Sequence, residues 1–152
     1  MGNLNSKRDW GHARDYVYMQ WLMMQQETPE DFVIATGKMI TVREFIELCA
    51  QELGWNNKKS NNGILWEGEG INEIGRRADT GEIVIRVDPR YFRPTEVEEL
   101  LGDSSKARKK LNWEPKISIK ELISEMIDED SKESKKESIL KKKGFSVYSS
   151  KE

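Results

Sequence analysis

The chain has 152 residues, 36% of them hydrophobic, with five tryptophans, which is enough to bury one modest core, so a single domain or a large piece of one is expected. Its 25 basic and 27 acidic side chains leave a net charge of −2, so no field of one sign favours a nucleic acid or an anionic membrane surface. The lone cysteine excludes an internal disulfide. No apolar stretch is long enough to cross a bilayer, and residues 1–6 lack the apolar core of a signal peptide, so a reducing cytoplasm is the expected compartment.

In chain order, Asp15 to Gln26 carries Tyr16, Met19 and Met23 with Val17, Trp21 and Leu22, which predicts a largely buried helix ended by Thr28-Pro29. The apolar run Phe32 to Thr36, closed by Gly37, predicts a buried parallel strand. Thr41 with Glu44 three residues on is a capping box, opening a helix through Phe45, Leu48, Cys49 and Leu53 to a stop at Gly54. Within that run Cys49 reads as a packed thiol rather than a nucleophile. Helix, strand and helix in succession suggest an α/β layer.

Residues 56–62 are polar and 63–81 are dotted with glycine, which reads as an insertion or long loop without regular structure. Glu82 to Asp88 alternates β-branched residues and predicts a strand ended by Pro89. Thr95 with Glu98 caps a short helix toward Leu100 and Leu101, and Ser104 or Ser105 starts another that runs to Leu111. Residues 112–115 form a turn with Trp113 packed beside it. Ser118 with Glu121 repeats the capping box before Leu122, Ile123, Met126 and Ile127. The run 128–143 mixes charges of both signs and reads as a solvated helix or frayed tail, after which Phe145 and Tyr148 tuck back. The chain thus divides into 1–127 and a charged tail, 128–152.

Read for chemistry, the sequence holds no glycine fingerprint after a strand, no phosphate loop and no cluster of ligands at metal spacing. Two polar clusters lie beside core elements. In the first, Lys7 to Asp15, Arg8 precedes a buried helix and could offer its planar fork to a phosphate; equally, Arg8 and Asp9 could pair on the surface, or Asp15 could cap the helix. His12, the one histidine, reads as packed and hydrogen-bonded rather than as a base. In the second, Asp88 to Val97, two prolines stiffen the chain around Arg93, as preorganised anion recognition requires. Glu96 could accept both hydroxyls of a ribose, or simply complement a helix dipole for about 0.3–1 kcal/mol.

Taken together, Gly2-Asn3-Leu4, the run Lys7 to Val17, Pro29 to Gly37, Asp88 to Val97 and Leu100 to Asp103 resemble the C-terminal half of GDP-mannose 4,6-dehydratases, and Trp113, Pro115 and 118–127 continue the likeness. That family is a branch of the extended short-chain dehydrogenase/reductases. Its members use NADP to oxidise the mannose at C4, eliminate water across C5 and C6 and return the hydride at C6, giving GDP-4-keto-6-deoxymannose. The resemblance implies that Arg8 meets the diphosphate region of GDP-mannose, that Arg93 also grips the nucleotide, that Glu96 holds the ribose, and that Gly2 and Asn3 lie where the family chain passes the guanine.

The implied fold class is α/β, a C-terminal substrate-binding lobe plus late strands of an NAD(P)-binding Rossmann-type domain, with the N-terminal Rossmann core missing. Phe32 to Thr36 would be one of those late strands. The family's glycine-rich NADP loop, its catalytic Thr and Glu and its Tyr-x-x-x-Lys pair fall upstream of residue 1: Tyr16 is followed four residues later by Gln20, and Tyr91 by Thr95. The expectation is therefore a fragment or split product without catalytic or cofactor-binding residues. It would need an N-terminal NADP-binding partner or a full-length subunit, within what is a homo-oligomer in the complete enzyme. The alternative is a non-catalytic GDP-sugar-binding or regulatory module. In either case the strand 32–36, apolar on both faces, would leave an exposed apolar patch and an isolated chain of poor solubility.

Overall fold

The computed structural model describes residues 1–58, 60–95 and 99–147. Strand β1 (Lys7–Asp9) leads through His12 into helix α1 (Ala13–Met24). The chain returns to strand β2 (Met39–Thr41), which passes directly into helix α2 (Val42–Glu52). Strands β3 (Ile64–Glu67), β4 (Ile74–Arg77) and β5 (Ile83–Arg86) follow, then helices α3 (Ser105–Leu111) and α4 (Ile119–Lys142). The architecture is α/β with two small antiparallel sheets, β1-β2 and β3-β4-β5.

Local chemistry sets the helix ends. Thr41 and Ser118 each accept a hydrogen bond from the backbone N–H of the glutamate three residues on, while that glutamate reaches back to the cap, so both capping boxes form. Helix α2 stops where Gly54 turns left-handed at φ 72°. Helix α1 begins differently. Its cap is His12, whose Nδ1 accepts the Arg14 N–H at 3.0 Å, leaving Nε2 to carry the proton toward Glu125 Oε2 at 3.3 Å. His12 is buried, as the reading of it as a packed, hydrogen-bonded histidine expected.

The core gathers Met19 of α1, Ala107 and Leu111 of α3, and Trp113, with Tyr16, Leu22, Met23, Phe32 and Ile34 packed against them. Buried Asp15 ties this core to the chain behind it: its Oδ2 accepts the N–H groups of Lys116 and Ile117, each at 2.9 Å. The carboxylate thus acts as an acceptor between elements and not as the helix cap. The β1-β2 ribbon carries Trp10, which stacks on Phe45 of α2 with ring centroids 4.3 Å apart. Cys49, also on α2, is half-buried, and that burial pushes its thiol pKa up, away from nucleophilic character.

Several expectations need correction. Residues 32–36 form no strand: no neighbour within the described residues pairs with the segment in a sheet, and Val33 is 51% exposed. Helix α1 is buried on one side only, since Val17, Tyr18, Trp21 and Met24 face outward. Residues 63–81 are not a loop. They hold β3 and β4, joined by a three-residue 3-10 turn and paired antiparallel from Ile64↔Arg77 to Glu67↔Ile74. Glycines read there as loop signals are the positive-φ corners of the sheet, Gly63, Gly68, Gly70 and Gly81. The charged run after Ile127, by contrast, is the solvated helix that was one of its two expected forms: it continues α4 to Lys142, laced by Glu129–Lys132, Glu133–Lys136 and Glu137–Lys141 pairs. The short helix expected from Thr95 to Glu98 and the tuck of Tyr148 involve positions outside the described residues.

Candidate ligand-binding cleft

Met1, Gly2 and Asn3 run beside the segment 86–93 and are stitched to it. The terminal amine donates to the Arg86 carbonyl at 3.1 Å, and the Asp88 N–H donates to the Met1 carbonyl at 2.8 Å. Asn3 closes the seam with two bonds to the backbone of Arg93. Its Nδ2 donates to the Arg93 carbonyl at 2.7 Å, and its Oδ1 accepts the Arg93 N–H at 3.0 Å. Space at Gly2 is minimal, because a Cβ there would stand 2.6 Å from the Tyr91 carbonyl oxygen.

The opposite wall comes from β1 and the start of α2. Register places Arg8 opposite Ile40, and the Val42 N–H donates to the Ser6 carbonyl at 3.1 Å. The guanidinium of Arg8 bends back on its own strand, with Nη1 on the Lys7 carbonyl at 2.8 Å. Lys7 forms an ion pair with Glu99. Between the walls lies a cleft of 380 Å³ lined by Gly2, Asn3, Arg8, Arg90, Tyr91 and Arg93, together with Met1, Ser6 and Val42.

Two of its arginines differ in state. Arg90 is committed to Asp88, with Nε 3.0 Å and Nη2 2.6 Å from Oδ2, and its guanidinium lies over the Tyr91 ring. Those hydrogen bonds hold the Asp88 carboxyl down to about 2. The Arg93 side chain is exposed, and among the described residues no carboxylate pairs with it. Pro94 restricts the backbone of Arg93 to extended conformations, and Asn3 holds both of its polar groups. Chemically, the cleft offers guanidinium donors on a fixed backbone, which suits a phosphate or diphosphate.

Gly2, Asn3, Arg8 and Arg93 therefore meet at one place. Glu96 lies outside the described residues. Arg90 and Tyr91 also line the cleft and were overlooked in the sequence, although both fall within the Asp88 to Val97 cluster. A second cavity of 340 Å³, lined by Trp10, Thr36, Lys38, Ile40 and residues 115–119, contains no arginine or carboxylate. Among the described residues no group of three or more His, Cys, Asp or Glu could hold a metal ion, and no helix is long and apolar enough to cross a membrane.

The fold and this cleft define an α/β chain that ties residues 1–3 to an arginine-bearing turn some ninety positions on. The sequence model of the family described as GDP-mannose 4,6 dehydratase matches residues 1–126. Similar proteins include a GDP-mannose 4,6-dehydratase of Yersinia enterocolitica, 51% identical over 97% of this chain and 40% of the relative. One of Vibrio cholerae is 48% identical over 97% and 40%, and the GDP-mannose 4,6 dehydratase of Homo sapiens is 50% identical over 86% and 33%. The chain belongs to the GDP-mannose 4,6-dehydratase family. It spans 40% of the length of the bacterial relatives and 33% of the human one.

Proposed function

We propose that this chain is the GDP-mannose-gripping part of a GDP-mannose 4,6-dehydratase, in which Arg8 meets the diphosphate, Arg93 also grips the nucleotide, and Gly2 and Asn3 form the wall beside the guanine. Glu96 takes the ribose hydroxyls. The observation that carries this reading is the convergence of Arg8 and Arg93, distant in sequence, on one 380 Å³ cleft.

The family's chemistry uses NADP, and the residues here do not fit a dinucleotide. The one Gly-x-Gly after a strand, Gly68-Glu69-Gly70, opens a three-residue 3-10 turn and not a helix, between antiparallel strands. A Cβ at Gly68 would meet the Asn72 carbonyl oxygen at 2.7 Å, so the chain's own backbone occupies the space that a pyrophosphate needs. This reading accordingly gives the hydride and proton chemistry to a separate N-terminal, NADP-binding half or a full-length subunit, and gives this chain no catalytic residue.

Surface chemistry supports such a partner. Val17, Trp21 and Met24 follow one another at helical spacing along α1, exposed by 61%, 50% and 73%. Val33, in the apolar segment 32–36, is 51% exposed. In this reading both are covered in the complete enzyme, where that segment becomes a late strand of the Rossmann-type sheet.

A second reading, a GDP-sugar-binding or regulatory module without activity, is favoured by the bonds that hold one cleft wall together within the chain, from Asn3 to Arg93 and from Met1 to Arg86 and Asp88. Calorimetric titration with GDP-mannose, of the chain alone and of the chain mixed with the N-terminal half of a related dehydratase, separates the two. Turnover in the mixture is expected. Binding by the chain alone with no turnover in the mixture selects the module, and binding in neither rejects the cleft.

A further inference from the structure

Both polar atoms of the Asn3 side chain are engaged by the backbone of one residue, Arg93. The amide oxygen, which has two lone pairs, takes the Arg93 N–H at 3.0 Å, and the amide nitrogen spends one of two N–H donors on the Arg93 carbonyl at 2.7 Å. The residue held this way sits next to Pro94, which contributes no N–H of its own, at the end of a turn whose internal bonds are local: Tyr91 and Phe92 N–H both donate to the Asp88 carbonyl, and Arg90 N–H to Asp88 Oδ1. None of those local bonds reaches Arg93. Among the described residues, the tie that fixes the Arg93 backbone to the rest of the fold is the Asn3 amide, 90 positions away in sequence.

We propose that Asn3 is a positioning residue that clamps the Arg93 backbone so that the guanidinium projects into the cleft toward the anionic part of a nucleoside diphosphate, and that it acts on the ligand only through Arg93. This rests on the nucleotide-sugar reading of the cleft. Complementarity makes the role specific to an amide: aspartate accepts the Arg93 N–H but cannot donate to the carbonyl, and alanine does neither. Gly2 belongs to the same device. Its contact with the Tyr91 carbonyl brings the two strands close enough for the Asn3 side chain to span them.

The test is a double-mutant cycle on GDP binding, using the full chain alone and in the mixture described above, with N3A, R93A and the pair. Expected is a loss of about tenfold in affinity for N3A when Arg93 is present, and less than about twofold in the R93A background, with N3D between wild type and N3A. An equal loss in both backgrounds means that Asn3 touches the nucleotide itself and overturns the proposal, as does full affinity in N3A. Hydrogen exchange at the Arg93 amide keeps the test independent of ligand. N3A is expected to accelerate it, and unchanged protection overturns the clamp. Failure of the unsubstituted chain to bind GDP in either arrangement rejects the cleft reading instead, and the clamp then stands or falls on the exchange result.

Discussion

Trp113 donates its indole N–H to the backbone carbonyl of Asp15 at 3.0 Å, and the Asp15 carboxylate in turn accepts two backbone N–H groups just beyond Trp113, from Lys116 and Ile117. A hydrogen-bonded ring thus closes helix α1 onto the turn before α4. Asp15→Ala leaves two N–H groups without their acceptor in a partly buried place, a cost of about 3 kcal/mol, whereas Asp15→Asn keeps an oxygen acceptor and costs roughly half as much. Urea denaturation of the three proteins checks this. Equal midpoints for Ala and Asn would show that the carboxylate contributes no directed bonds.

In the cleft, Arg93→Ala should weaken GDP-mannose binding about tenfold or more, while Arg76→Ala should change it by less than about twofold. The contrast is physical. Arg76 is spent on Glu67 at 3.1 Å and on the Gly81 carbonyl at 3.2 Å within its own sheet, but Arg93 stands exposed on the cleft wall. Titration calorimetry reads both, and equal losses would remove the assignment of the site to this cleft.

The residues that were legible in sequence were those whose partners are local. Both capping boxes close over three residues, so Thr41, Glu44, Ser118 and Glu121 could be read directly. Phe32 to Thr36 misled because its apolar pattern answers to neighbours that the described residues do not supply, and an unpaired segment is not a strand. The β3-β4 hairpin misled in the opposite sense, since glycines taken as loop signals sit at its corners or, like Gly75, under Trp66, whose ring would lie 2.9 Å from an added Cβ. The arginine clusters of the cleft stood out by composition. The Asn3 clamp did not, because no local pattern announces a bond between positions 3 and 93.

Acid should loosen the 88–93 turn. Asp88 titrates from an ordinary 3.8 down to about 2 in the folded protein, chiefly through its bonds to the Arg90 side chain and then to the Arg90 N–H. Because the folded value is the lower one, the stabilisation is present in full above the unfolded value and is lost as the pH falls from about 4 through 2. Asp88→Asn should therefore flatten the decline in urea midpoint across that window while lowering the midpoint at neutral pH. An unchanged slope would place the acid sensitivity elsewhere, and the exposure of Arg90 argues that the effect will shrink as salt is raised.

Solubility gives a test of the proposed partner surface. The stripe Val17, Trp21 and Met24 on α1 and the exposed Val33 are the apolar surfaces that the proposed partner would cover. An isolated chain should self-associate through them, and Val17→Lys with Met24→Glu should restore a monodisperse monomer without lowering its thermal midpoint, because neither side chain belongs to the core. The same double variant should lose turnover in a mixture with an N-terminal half, since the surface that no longer self-associates can no longer be covered. Light scattering and the coupled assay separate the possibilities. A wild-type chain that is already monomeric, or a double variant that remains active in the mixture, would mean that α1 is an ordinary solvent-facing helix and that any partner docks elsewhere.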